Sequence, residues 1–238
     1  MEKQDHLWPG GPQFLFDDTL FGPSTDSFLL GAFTGTHRGE HICDLGSGTG
    51  LLGLLLWARN PDVHLTNVEM EPKAVELCRR SYALSGLDAR HICADLRDPC
   101  QLPPAGSFDL VISNPPYFDT RRGAVAQGTR GIARAAGCTV EELCRAADHL
   151  LKYGGRFALV YRCERMAELF GCLQAHHLEP KRLRLVQNTL SSAPSLFLLE
   201  CKKGGRPGLA AEPLLLLRDA GGGESEDVKR AYFRDKEA

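Results

Sequence analysis

Seven residues, DLGSGTG at 44–50, restrict the fold of this chain more than any other stretch. They close the strand-like HICDL at 41–45 and open TGLLGLLLWARN, an apolar run with the length and content of a helix. Gly46, Gly48 and Gly50 carry no side chain, so the backbone can pass very close to a ligand there. A strand, a glycine loop and a helix in that order mark a nucleotide-type site.

The alternation continues along the chain. VHLTNVE at 63–69 is a strand, and PKAVELCRRSYALSG is a helix with Pro72 at its start and Gly86 at its stop. ARHICAD and FDLVIS (108–113) are strands, TVEELCRAADHLLKYGG is a helix capped by Thr139, and RFALVY (156–161) is a strand. A helix over 164–176 and two late strands, RLRLVQ and SLFLLEC, complete the series. Such an order predicts an α/β fold, a mostly parallel sheet with helices on both faces. With 238 residues, 43% of them hydrophobic, the chain can bury one sizeable core.

The ends depart from this pattern. Residues 1–40 contain QFLFDDTLFGPSTDSFLLGAF, read as a short strand pair and a helix capped by Ser24 or Thr25 that pack on the core. The core domain is then 41–203, and 204–238 is a strand and loop extension whose GGRPG and AGGGESED suit a mobile loop or frayed end.

Several classes of function are disfavoured. The apolar runs LLGLLLWA and PLLLL fall far short of the roughly 20 residues that span a bilayer. The N-terminus lacks the order of a secretion signal, so a cytoplasmic protein with no membrane partner is expected. Nine cysteines form no C-x-x-C pair, and His176 and His177 are adjacent rather than a turn apart, so no metal is expected. Cys43, Cys93 and Cys201 lie in strand-like runs and read as small buried hydrophobes. A net charge of −2 gives no global field for nucleic acid, but Arg121, Arg122, Arg130 and Arg134 share the stretch 118–138 with a single acid, Asp119.

The glycine loop alone leaves two cofactors open. Gly48, Gly50 and Gly53 satisfy G-x-G-x-x-G, and Glu69 follows about 20 residues on, as in dinucleotide folds. Asp44 separates them: a carboxylate before the glycines suits the ammonium group of S-adenosylmethionine and opposes a pyrophosphate. Asp95, closing the third strand, can accept a hydrogen bond from an adenine amino group.

At the end of the fourth strand stands Asn114-Pro115-Pro116-Tyr117. An adenine amino group or an amide nitrogen is a poor nucleophile because its lone pair is delocalised. The Asn114 oxygen and the Pro115 carbonyl can accept its two hydrogens, with the carbonyl aimed beforehand by the fixed φ of proline. Pro116 stiffens the turn, and Tyr117 can stack on a base.

Together DLGSGTG, Glu69, Asp95 and NPPY resemble the class I, Rossmann-like amino-methyltransferases over about residues 40–200. The resemblance implies a seven-stranded, mostly parallel sheet with one antiparallel strand near its edge. It also implies S-adenosylmethionine as cofactor and S-adenosylhomocysteine as product. Asp44, Gly46 and Gly48 would bind the amino acid part, Glu69 the ribose hydroxyls, and Asp95 with Leu96 the adenine. Ser47, Gly50, Met70 and Asn114 complete the implied cofactor set.

Within that class, FGPSTDSFLLGAF (21–33) is similar to a segment of the bacterial valine-tRNA adenine-37 N6-methyltransferases, as are SNPPYF and the loop reaching Arg134. EPLLLLRD resembles that family's final strand. This implies N6-methylation of an anticodon-adjacent tRNA adenine, and Arg134 matches an arginine of that family; Arg121, Arg122, Arg130 and Arg134 would grip RNA phosphate, and a monomer is favoured over an oligomer. The alternatives are methylation of another RNA, or of a protein glutamine, as by the release-factor methyltransferases that share NPPY. Those enzymes carry a larger helical domain upstream, for which 40 residues leave little room.

Overall fold

The computed structural model describes residues 1–17, 19–20, 22–116 and 138–234. The chain begins with an antiparallel hairpin, β1 (Glu2–His6) and β2 (Gln13–Asp17), followed by α1 (Thr25–Phe33). Ser24 caps α1 by accepting from the Ser27 N–H, and the helix buries Phe28, Leu29, Leu30 and Phe33. The alternating core then runs β3 (His41–Leu45), α2 (Leu51–Arg59), β4 (His64–Glu69), α3 (Pro72–Leu84), β5 (Ala89–Cys93) and β6 (Phe108–Ser113). After the described chain resumes come α4 (Val140–Leu150), β7 (Leu151–Arg162), a short 3-10 turn at Cys163–Arg165, α5 (Met166–Ala175), β8 (Leu178–Gln187) and β9 (Leu196–Lys203).

Local chemistry sets the helix limits. Pro72 opens α3 with the φ a first turn needs, and Gly86 follows its end at φ +69°. Thr139 and Glu142 form a reciprocal capping box on α4.

The main sheet runs β5-β4-β3-β6-β7-β9-β8. β3 pairs in parallel with β4 and with β6, while β9 is antiparallel to β7 and β8. Side chains alternate between two buried layers, as in a sheet covered on both sides. On β6, Leu110 and Ile112 join the layer of α1 and α2, whereas Val111 joins the layer of α4 and α5.

Three details differ from the sequence reading. Among the described residues the sheet has nine strands rather than seven, because β10 (Ala210–Ala211) and β11 (Leu215–Leu216) pair with the outer side of β8. These short strands occupy backbone groups that an edge strand would otherwise expose. The run 224–234, expected to be frayed, carries α6 (Glu226–Ala231), capped by Ser225 and anchored where the Arg59 guanidinium stacks 4.1 Å from the Phe233 ring centre. Cys43 and Cys201 are buried as expected, but Cys93 is exposed, because β5 is the other edge of the sheet. No helix among the described residues is long and apolar enough to cross a membrane.

Strand order reverses between β3 and β6. Their carboxyl ends therefore diverge into a crevice, the usual ligand position in such a sheet.

Candidate active site

The crevice holds a cavity of about 300 Å³. Its floor is the glycine loop. Gly46 and Ser47 donate their N–H groups to the Val68 carbonyl at 2.8 and 3.1 Å, which fixes the loop against β4. Gly50 starts α2 at φ +83°, and a Cβ there would run into the Cys78 sulfur. The Tyr82 hydroxyl beneath lies 3.0 Å from both the Gly50 carbonyl and Asn67 Oδ1. Glycine is thus required at 50 by backbone conformation and by space.

Asp44 stands at the end of β3 and is 1% exposed. Its Oδ2 accepts from the Gly53 N–H at 3.1 Å. Burial pushes the carboxyl up to about 7; the Gly53 hydrogen bond opposes that rise and the nearby Glu69 charge adds to it. A cationic group in the cavity would stabilise the ionised form. Glu69, ending β4, accepts from the Gly48 N–H through Oε2 and from the Glu71 N–H through Oε1, each at 2.9 Å. One carboxylate therefore spans the glycine loop and the start of α3.

Asp95 lies at the opposite wall with Leu96. Arg97 closes on its carboxylate, with Nη2 2.6 Å from Oδ2, and holds the Asp95 carboxyl below the usual carboxylate range. Val68, Ala94 and Leu96 give that side an apolar lining suited to a flat aromatic group.

Asn114 and Pro116 face the same cavity, and Pro115 is buried between them. The Ser113 hydroxyl donates to the Leu45 carbonyl at 2.7 Å, which locks the end of β6 to β3. The Asn114 amide donates to Ser27 Oγ at 3.0 Å and Ser24 Oγ at 3.3 Å. The structure thus brings Asp44, Gly46, Ser47, Gly48, Glu69, Met70, Asp95, Leu96, Asn114 and Pro116 around one cavity, with Gly50 just below it. Tyr117, Arg121, Arg122, Arg130 and Arg134 lie outside the described residues.

Sequence reasoning missed part of the wall. Thr19, Leu20 and Gly22 line the cavity after β2, and Arg97 and Cys138 close other sides. Lys73 Nζ lies 2.8 Å from Asp17 Oδ2, tying the hairpin to α3 and holding this wall in place. The cap signal PSTD was legible, but nothing in its spacing points to residue 114.

These residues fit S-adenosylmethionine on their own chemistry. A buried carboxylate at Asp44 suits an ammonium group, Glu69 a diol, and the apolar wall beside Asp95 an adenine. The Ser47 hydroxyl is buried without a hydrogen-bond partner among the described residues, a group there left for a ligand to satisfy.

Known proteins are similar to this chain in sequence and in fold. The family model of the methyltransferase small domain matches residues 24–177. The tRNA1(Val) (adenine(37)-N6)-methyltransferase of Porphyromonas gingivalis W83 is 31% identical over 198 residues, covering 79% of this chain and 78% of its own. The protein of the same name from Aliivibrio fischeri MJ11 is 30% identical over 212 residues, covering 87% of each. The crystal structure of a predicted O-methyltransferase from Agrobacterium tumefaciens superposes with a TM-score of 0.72 at 23% identity, over 87% of this chain and 95% of that one. At that identity the likeness concerns the fold.

Proposed function

The chain belongs to the methyltransferase small domain family, and on that premise we propose that it methylates N6 of an adenine in tRNA, the anticodon-adjacent adenine of valine tRNA, using S-adenosylmethionine. The observation that carries this reading is Asn114, at the carboxyl end of β6, in the wall of the cavity built by the glycine loop, Glu69 and Asp95.

The cofactor supplies a methyl group already activated on a sulfonium, so the protein needs to position and polarise rather than provide a strong base. Asp44, Gly46, Ser47, Gly48 and Gly50 hold its amino acid part, Glu69 and Met70 its ribose, and Asp95 with Leu96 its adenine. Asn114 Oδ1 and the Pro115 carbonyl accept the two hydrogens of the target amino group and localise its lone pair. Pro116 keeps that turn rigid, and Tyr117 stacks on the extruded base. Arg121, Arg122, Arg130 and Arg134 grip phosphate, so RNA affinity falls steeply as salt is raised. The protein acts as a cytoplasmic monomer in this reading.

Mass spectrometry of nucleosides from tRNA incubated with the protein and cofactor tests the proposal. N6-methyladenosine is expected with wild type and absent with Asn114→Ala, while S-adenosylhomocysteine binding is retained by the variant. Label passing to release factors instead of tRNA would turn the assignment to glutamine.

A further inference from the structure

The Asn114 amide has two chemically opposite ends, an oxygen that accepts and an NH2 that donates. Only one orientation serves an incoming amino group, because the flipped amide would set donor against donor. In the structure both hydrogens of Nδ2 are committed, one to Ser27 Oγ at 3.0 Å and one to Ser24 Oγ at 3.3 Å. Oδ1 is then the end left to accept.

The first turn of α1 lets both serine oxygens accept at once. Ser24 Oγ already takes the Ser27 N–H at 3.4 Å as the helix cap, and the two hydroxyl oxygens lie 3.3 Å apart. If the Ser24 hydrogen passes to Ser27, each oxygen keeps a lone pair for Asn114. The cap itself needs the Ser24 oxygen and only the backbone N–H of Ser27. The Ser27 hydroxyl is therefore spare to the helix, yet it is buried and makes the shorter contact to Asn114.

We infer that Ser27, assisted by Ser24, is a positioning residue for methyl transfer: the first turn of α1 fixes the Asn114 amide so that its oxygen meets the target amino group. This rests on the methyl-transfer reading above. The N-terminal helix is then part of the catalytic geometry, reaching it across a separation of 87 residues in sequence.

The test uses the full chain, S-adenosylmethionine and an unmodified transcript of tRNA1(Val). Ser27→Ala is expected to lower kcat about ten-fold, the loss of one positioning hydrogen bond. KM for S-adenosylmethionine should stay within about two-fold, because Ser27, although it lines the same cavity, acts through Asn114 in this inference. Asn114→Asp replaces the NH2 by a second acceptor, so orientation loses its meaning; in that background Ser27→Ala should cost less than about two-fold. Equal losses in both backgrounds, or a single variant with more than half the wild-type kcat, would overturn the inference. A readout independent of turnover is the NMR shift of the Asn114 side-chain NH2, assigned by its disappearance in Asn114→Asp. It should move in Ser27→Ala, and an unmoved signal refutes the clamp. Absence of any methylation by wild type would instead count against the proposed function, leaving the NMR result to judge the clamp.

Discussion

Arg97 grips Asp95 with three donors: Nη2 lies 2.6 Å from Oδ2, Nε 2.9 Å from Oδ1, and the Arg97 backbone N–H 2.9 Å from Oδ1. Both residues stand in the cavity wall, so the acid proposed to receive the cofactor adenine is already engaged. The backbone contact alone can keep the carboxylate oriented, whereas the guanidinium competes for its lone pairs.

Arg97→Ala should therefore tighten S-adenosylhomocysteine binding two- to five-fold by calorimetry, and Asp95→Ala should weaken it by about ten-fold. Water and salt screen this half-exposed ion pair, so the melting temperature of Arg97→Ala should barely change. Weaker binding in Arg97→Ala would show that the pair acts as one recognition unit.

Asp44 gives two pH dependences of opposite sign. Its folded-state carboxyl titrates at about 7, above the ordinary carboxylate value, so the folded protein keeps a proton through a window in which the unfolded chain has lost it. Stability of the ligand-free protein should fall as pH rises from about 4 to about 7 on this account, then level off. An ammonium ligand needs the ionised carboxylate, so S-adenosylhomocysteine should bind about ten-fold more tightly at pH 8 than at pH 6. Asp44→Asn should remove both trends, measured by denaturant unfolding and calorimetry; a pH dependence that survives the Asp44→Asn substitution would assign it to another group.

Gly50→Ala combines a left-handed φ of +83° with collision against the Cys78 sulfur. A loss of about 3 kcal/mol in urea unfolding is expected, with weakened cofactor binding. Gly39 offers the control: its φ is +70° but a Cβ there meets open space, so Gly39→Ala should cost only about 1 kcal/mol and leave binding alone. Equal costs at the two positions would mean that packing beneath the loop has no part.

Glu69 separates the diol role from loop support. Glu69→Ala loses both acceptors for Gly48 and Glu71 and should weaken S-adenosylhomocysteine binding by more than ten-fold. Glu69→Gln keeps one oxygen and should lose less. Unchanged affinity in Glu69→Ala, read by calorimetry, would displace the ribose from this residue.

The sequence by itself determined the alternating order from β3 to β9, the glycine loop at 46–50, the Thr139 cap and a cap at Ser24 or Thr25, and the placing of Asp44, Glu69, Asp95 and Asn114 near strand ends. Each is encoded locally, in the φ a residue tolerates or the period of its neighbours. Tertiary structure decided which strand ends meet, that β10 and β11 extend the sheet, that Cys93 stands exposed on an edge, and that Arg97 occupies Asp95. It also decided that Ser24 and Ser27 reach Asn114. The reason is the same throughout: a short motif specifies its own backbone, whereas its partners across the sheet are chosen by the packing of buried faces, which no spacing along the chain records.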